Sequence, residues 1–265
     1  MAEGIERRYL GAVALVDSVT RGAVDRPLRV EAGPARLLRN RSGLYVLAAA
    51  PGLETHETRF EAPPGAPPLG SVTVRLTVED PLGRYLPRVA AVALPRDPDP
   101  DRGDRPESLF RPVEVAVFAA PARPRSGNWS GVRVSVARPG ADGARRPIRG
   151  ALLRVVEVAD GAVLGRGISD ERGEGLVLVP GIPVTRFADG NGSDVPLAVG
   201  PVVTSETAAR LEVVVEPGSP WPVDPERLEA HAAEWIRNAD APVALALRTG
   251  RFEQVTVEID LTAGP

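Results

Sequence analysis

The chain has 265 residues, 43% of them apolar, enough to bury one large core or two ordinary ones, and its formal net charge is −3. It has no cysteine, no lysine and only two histidines, which excludes disulfides, thiolate chemistry, Schiff bases and a P-loop lysine together. The slightly acidic balance excludes the basic surface that nucleic-acid binding needs, and no apolar run approaches the ~20 residues that cross a bilayer.

The N-terminal MAEGIERRYL has charges with no apolar segment behind them; the expectation is no signal peptide and a cytoplasmic chain, one that can be released within an assembled particle. The first clear element is 71–79, where Val72, Val74, Leu76 and Val78 alternate with Thr73, Arg75, Thr77 and Glu79. Period two is what a strand with one buried and one wet face requires, and such strands belong to antiparallel sheets. Residues 97–108 alternate Asp with Pro, can continue neither a helix nor a central strand, and are expected to form an extended linker. A strand is expected at 113–118 and a loop at 121–129. Alternation returns at Val132, Val134 and Val136, and Asp160-Gly161 between two apolar runs reads as a two-residue hairpin.

Next comes GRGISDERGEGLVLVPGIP, residues 165–183. A dinucleotide fingerprint would need a third glycine where Asp170 stands, and a helix where an apolar strand follows. The stretch therefore reads as strand–turn–strand, with Asp170 bonding its own backbone and Gly173 taking positive φ. Asp189, Asn191, Ser193 and Asp194 space their oxygens as a calcium loop does, although Asp194 stands where the EF-hand needs Gly and Gly200 where it needs Glu; a flexible polar loop is the plainer reading. Leu211, Val213 and Val215 form another alternating strand. At Asp224-Pro225-Glu226 the signals change to N-cap, first-turn proline and first-turn acid, and Leu228, Ala232 and Trp235 follow at helical spacing. One amphipathic helix is expected over 225–238, with Trp235 as a core anchor. Thr249-Gly250, between 243–247 and 252–261, reads as a second hairpin.

Many short strands with Gly/Pro turns give an all-β expectation: two antiparallel β-sandwich domains in tandem, 1–96 and 109–265, joined by the 97–108 linker, the second carrying the helix near 225–238. Both domains hold an Arg-Pro-[Leu/Ile]-Arg strand start, then a polar turn ending in glycine (40–43; 170–173), an apolar strand and a Pro-Gly exit (Pro51-Gly52; Pro180-Gly181). A duplicated module and convergent hairpin grammar both account for this.

The run GALLRVVE…GRGISDERGEGLVLVPGIP, with its Ser169-Asp170-Glu171-Arg172-Gly173 turn, resembles the carboxypeptidase-regulatory-like (transthyretin-like) sandwich, and GAVALVDSVTRGAV near the N-terminus resembles it more loosely. That resemblance implies an accessory, non-peptidase module that stabilises, spaces or binds. The order VEDPLGRYLP, SLFRPVEVAVFAAPARP, LGRGISDERGEG is similar to proteins encoded with phage-tail-like contractile injection systems, which implies an accessory or cap component.

No catalytic set stands out. His231 lies in H-A-A-E rather than a zinc-binding H-E-x-x-H and reads as a half-buried helix side chain; His56 has no G-x-S-x-G serine to serve. Glu226, Glu229 and Glu234 read as solvated helix acids rather than a glycosidase pair. Asp97, Asp99, Asp101 and Asp104 are held apart by prolines. Arg102-Gly103-Asp104 spells an adhesion tripeptide and Asn128-Trp129-Ser130 a glycosylation sequon, both short enough to arise by chance. The expectation is a non-catalytic structural or interaction protein of a contractile, phage-tail-like particle. It would have no catalytic residue, cofactor or metal, and its partners would be protein subunits or copies of itself, with no nucleic acid and no membrane span. The alternative is a non-catalytic β-sandwich that binds carbohydrate or calcium.

Overall fold

A computed structural model describes residues 8–58, 64–123, 128–182 and 206–261. The chain forms two compact units, Met1–Ala119 with Pro220–Arg227, and Ala120–Ser219 with Leu228–Pro265.

Unit 1 contains β1 (Gly11–Asp17), β2 (Arg29–Glu31), β3 (Arg36–Arg39), β4 (Tyr45–Ala49), the short helix α1 (Glu54–Thr58), β5 (Val72–Glu79), β6 (Arg88–Leu94) and β7 (Val113–Val117). One sheet has the order β3-β4-β1-β7, the other β2-β5-β6. The alternation read from the sequence is what joins them. Val74, Leu76 and Val78 of β5 turn inward with Val92 and Leu94 of β6 and meet Val13, Leu47, Val115 and Val117 of the facing sheet. Each such side chain contributes about 1.5–3 kcal/mol on leaving water.

Unit 2 contains β8 (Ser130–Pro139), β9 (Arg145–Pro147), β10 (Leu152–Glu157), β11 (Val163–Ile168), β12 (Glu174–Val179), β13 (Thr207–Val214), α2 (Pro225–Ala230), α3 (Ala232–Trp235), β14 (Val243–Leu247) and β15 (Phe252–Glu258). Its sheets run β11-β10-β13-β14 and β12-β8-β15, with β9 paired to β8. Val132, Val134 and Val136 meet Leu211, Val213 and Val215 in its core. The molecule is the all-β sandwich expected, with one departure: β1 pairs with β7, and β8 with β15, in parallel.

The two units share a strand order. In each, the first strand lies between an antiparallel neighbour (β4; β12) and the unit's last strand in parallel (β7; β15). In each, one early strand joins two later antiparallel strands in the facing sheet (β2-β5-β6; β10-β13-β14). The sequence repeat falls in register with this order. Arg26-Pro27-Leu28 and Arg146-Pro147-Ile148 precede β2 and β10, and both apolar residues are buried. Gly43 and Gly173 close the turns into β4 and β12 with φ of 82° and 75°. The units differ in two places: β3 pairs with β4 whereas β11 pairs with β10, and β9, paired to β8, has no counterpart among the described residues of unit 1.

Three expectations need correction. Residues 97–108 are not a linker but part of unit 1, and the division falls after Ala119. The Asp side chains are the cause. Asp97 Oδ1 accepts the Asp99 amide and Asp99 Oδ1 the Asp101 amide, both at 3.0 Å, so the Asp/Pro run folds back and Asp97 bridges Ser108. The predicted helix is two, α2 and α3 with a break at His231, and it ends at Trp235 rather than 238 because the chain continues extended along β13; the Val215 amide bonds Trp235 O and the Arg237 amide bonds Val213 O. Asn238 finishes that edge with its side chain, accepting the Val213 amide at 2.9 Å and donating to Leu211 O at 2.8 Å. Thr249-Gly250 does not make a hairpin: β14 pairs with β13 and β15 with β8, so the turn crosses between sheets. The Asp160-Gly161 hairpin forms between β10 and β11.

Candidate functional site

In unit 1 a buried arginine gathers a polar cluster, and this residue was invisible in the sequence. Arg88 opens β6 with no exposed surface. Its Nε and Nη2 donate to Val89 O at 3.1 and 2.9 Å, Nη1 donates to Ala116 O at 2.6 Å and to Glu226 Oε1 at 2.8 Å, and Nη2 also meets Glu226 Oε2. The Phe118 ring lies 5.9 Å from the guanidinium carbon. Asp224, 3.9 Å from Arg88, caps α2 by accepting the Glu226 and Arg227 amides. Burial raises the Asp224 pKa, and the neighbouring Glu226 adds to this. Burial works the same way on Glu226, but the hydrogen-bonded Arg88 outweighs it and holds that carboxyl below its ordinary value. Two acids pushed in opposite directions are the signature of acid–base chemistry. Here both are committed: one caps a helix and the other neutralises a buried cation.

The Asp/Pro loop walls a groove of about 900 Å³ that includes Leu69, Ala93, Asp101, Arg102, Arg105 and Glu107. Three of its charged side chains are spent on one another or on the backbone. Arg102 pairs with Asp97 at 3.3 Å and Asp99 at 3.5 Å, which ties down the adhesion-like tripeptide, and Arg96 donates to Ser108 O at 3.1 Å.

The other residues singled out from the sequence have local roles. Asp170 Oδ1 accepts the Arg172 and Glu174 amides, as the strand–turn–strand reading requires. The glycines of that stretch permit close approach: a Cβ at Gly165 would lie 2.7 Å from Leu178 O, and one at Gly167 2.6 Å from Leu176 O. Glu229 pairs with Arg154 at 3.4 Å and Arg166 at 3.1 Å, neighbours across β10 and β11. Glu234 is exposed and Trp235 is half-buried. His231 is exposed and stacks on Trp235 at 4.6 Å, rather than being half-buried as expected. In the sequon, Ser130 donates to Arg248 O at 2.6 Å. Asp189, Asn191, Ser193 and Asp194 lie outside the described residues. Among the described residues no three His, Asp or Glu side chains are grouped to hold a metal, and no helix is long and apolar enough to cross a membrane.

What remains unspent is an edge. β15 pairs with β8 through its odd-numbered residues, as the bonds from the Gly131 amide to Arg251 O and from the Ile259 amide to Ala137 O fix. The backbone groups of Gln254, Thr256 and Glu258 therefore point away from β8, and their side chains are exposed. Beside Gln254 on β8 stands Arg133, half-buried, with its Nε buried and without a hydrogen-bond partner.

No family model matches the chain, and no curated protein matches it. Among solved structures it is similar to the Bacillus anthracis TIE protein at 8% identity and a TM-score of 0.28, over 96% of this chain and 34% of that one. It is similar also to GBS52, the minor pilin of Streptococcus agalactiae, at 8% identity and a TM-score of 0.28, over 86% of this chain and 68% of that one. The chain thus spans about a third of the length of the first of these.

Proposed function

We propose that the chain is a non-catalytic structural protein whose sheet edges join it to other subunits of a larger assembly, an accessory or cap-type component of a phage-tail-like contractile particle. The carrying observation is how its polar groups are distributed. Arg88, Glu226 and Asp170 are spent on an ion pair and a turn, while among the described residues the outward backbone groups of Gln254, Thr256 and Glu258 on the edge strand β15 have no partner. Soluble proteins ordinarily guard such an edge, and strand addition is the interaction it supports. The particle assignment rests on the sequence resemblance alone.

Two measurements test this reading. The chain should copurify with sheath, tube or baseplate subunits and appear in particles by negative-stain microscopy; particles that assemble unchanged without it would remove the assignment. Generic ester and glycoside substrates should be turned over at the background rate, and saturable hydrolysis lost on Asp224→Asn or Glu226→Gln would replace the non-catalytic reading with an enzymatic one.

A further inference from the structure

The last strands of the two units occupy the same place in the shared strand order, and their outer edges are treated differently. Beside β7 two outward carbonyls are taken: Ala116 O accepts Arg88 Nη1 at 2.6 Å, and Phe118 O, one residue past the strand, accepts the Leu86 amide at 2.9 Å. On β15 the equivalent outward groups, those of Gln254, Thr256 and Glu258, have no hydrogen-bond partner among the described residues. The strand has no proline, no lysine and no bulge to discourage pairing.

We propose that two copies of this chain join through β15, edge to edge and antiparallel, with Thr256 on the two-fold axis. In that register Gln254 stands opposite Glu258 of the second copy, Thr256 opposite itself and Val255 opposite Val257, closing about six backbone hydrogen bonds. Charge selects this occupant. Arg133 shares a row and a face with Gln254, so Glu258 of the second copy falls on the same row two strands away, roughly 10 Å between Cα atoms and within reach of the two long side chains. The symmetry makes this pair twice and supplies a carboxylate to a guanidinium that has no ion pair with a described residue. Glu258 gives up little in exchange, because its present contact to Arg145 at 3.6 Å is between two exposed side chains. Moving the axis to Glu258 would set two carboxylates face to face, so the register is fixed as well.

The proposal rests on the reading of the chain as an interaction protein and is tested on the full chain by analytical ultracentrifugation from low to high micromolar concentration. Wild type should sediment at twice the 28.0 kDa chain mass at the upper end. Thr256→Lys, at an exposed position, should sediment as a monomer throughout. Arg133→Glu and Glu258→Arg should each weaken association by about tenfold or more, and the double variant should restore it. Thermal melting checks that each variant folds, and Arg133→Gln replaces Arg133→Glu if the reversed charge unfolds the sheet. By hydrogen exchange, the Gln254, Thr256 and Glu258 amides should be protected in concentrated samples and lose that protection on dilution. A monomer at every concentration, a dimer indifferent to Thr256→Lys, or a double variant no tighter than the single ones would overturn the proposal. A monomer that still copurifies with particle subunits would sink the dimer and spare the broader reading.

Discussion

Gly173 is the residue at which sequence and structure meet most directly. Its φ of 75° disfavours any side chain, and a Cβ there would stand 2.3 Å from Val136 O, a backbone atom that cannot step aside. Gly173→Ala should therefore cost about 2 kcal/mol or more, read as a lowered urea midpoint. His56 is the opposite case, a residue whose environment the sequence did not reveal. It is buried, its Nδ1 has no hydrogen-bond partner, and burial first, then the charge of Arg8, hold its pKa below the ordinary value. The unfolded chain then binds a proton that the folded chain refuses. Stability present above a pH of about 6.5 should fall as pH is lowered towards the depressed folded value, and His56→Gln should flatten that part of the profile. Denaturant melts at stepped pH would show it; identical slopes for wild type and variant would not fit.

Among the elements, α2 shows a helix start that is legible and a helix end that is not. The Asp224-Pro225-Glu226 signal is local, and the structure uses it as read. The stop after Trp235 comes from the vacant half of β13's edge, which claims residues 236–238 and which no local pattern announces. Asp224 meets two demands, a cap that needs an acceptor and a buried place that resists charge. Asp224→Asn keeps the acceptor and removes the charge, so at neutral pH it should leave stability unchanged or raise it, whereas Asp224→Ala should cost about 1 kcal/mol. The sign follows from the raised pKa: stability linked to this carboxyl is lost as pH rises through its folded value, so any gain from Asn should shrink in acid. An Asn variant as unstable as the Ala variant would show that the Arg88 attraction outweighs burial. The Asp/Pro run failed as a linker for the same local reason that α2 succeeded: short acidic side chains seek backbone amides, here two residues on.

For the whole molecule, the division of the chain has a consequence for how it can be cut. Unit 1 takes in residues 220–227, whose Val223 O accepts the Val89 amide and whose Glu226 neutralises Arg88. A fragment ending at Ala119 would leave the buried Arg88 without its carboxylate and should be less stable for it. It should lack the dispersed amide spectrum of a folded sandwich, and a synthetic 218–230 peptide should restore dispersion in trans. A fragment that folds as well alone as with the peptide would show that the guanidinium finds water instead. The shared strand order of the two units supports the duplication reading of the Arg-Pro-[Leu/Ile]-Arg repeat, since convergent hairpins give no reason for the first and last strands of both units to pair in parallel.

The class of the molecule could be read from local patterns alone. Period-two alternation and glycine turns are local properties, and they were enough to give two β-sandwiches and the Asp170–Gly173 turn. Which strands pair, where the units divide, that Arg88 is buried and that β15 has no second neighbour among the described residues emerged only from the folded chain. Pairing is a relation between segments far apart in the chain. An arginine reads the same in sequence whether its guanidinium meets water or a carboxylate 138 residues away.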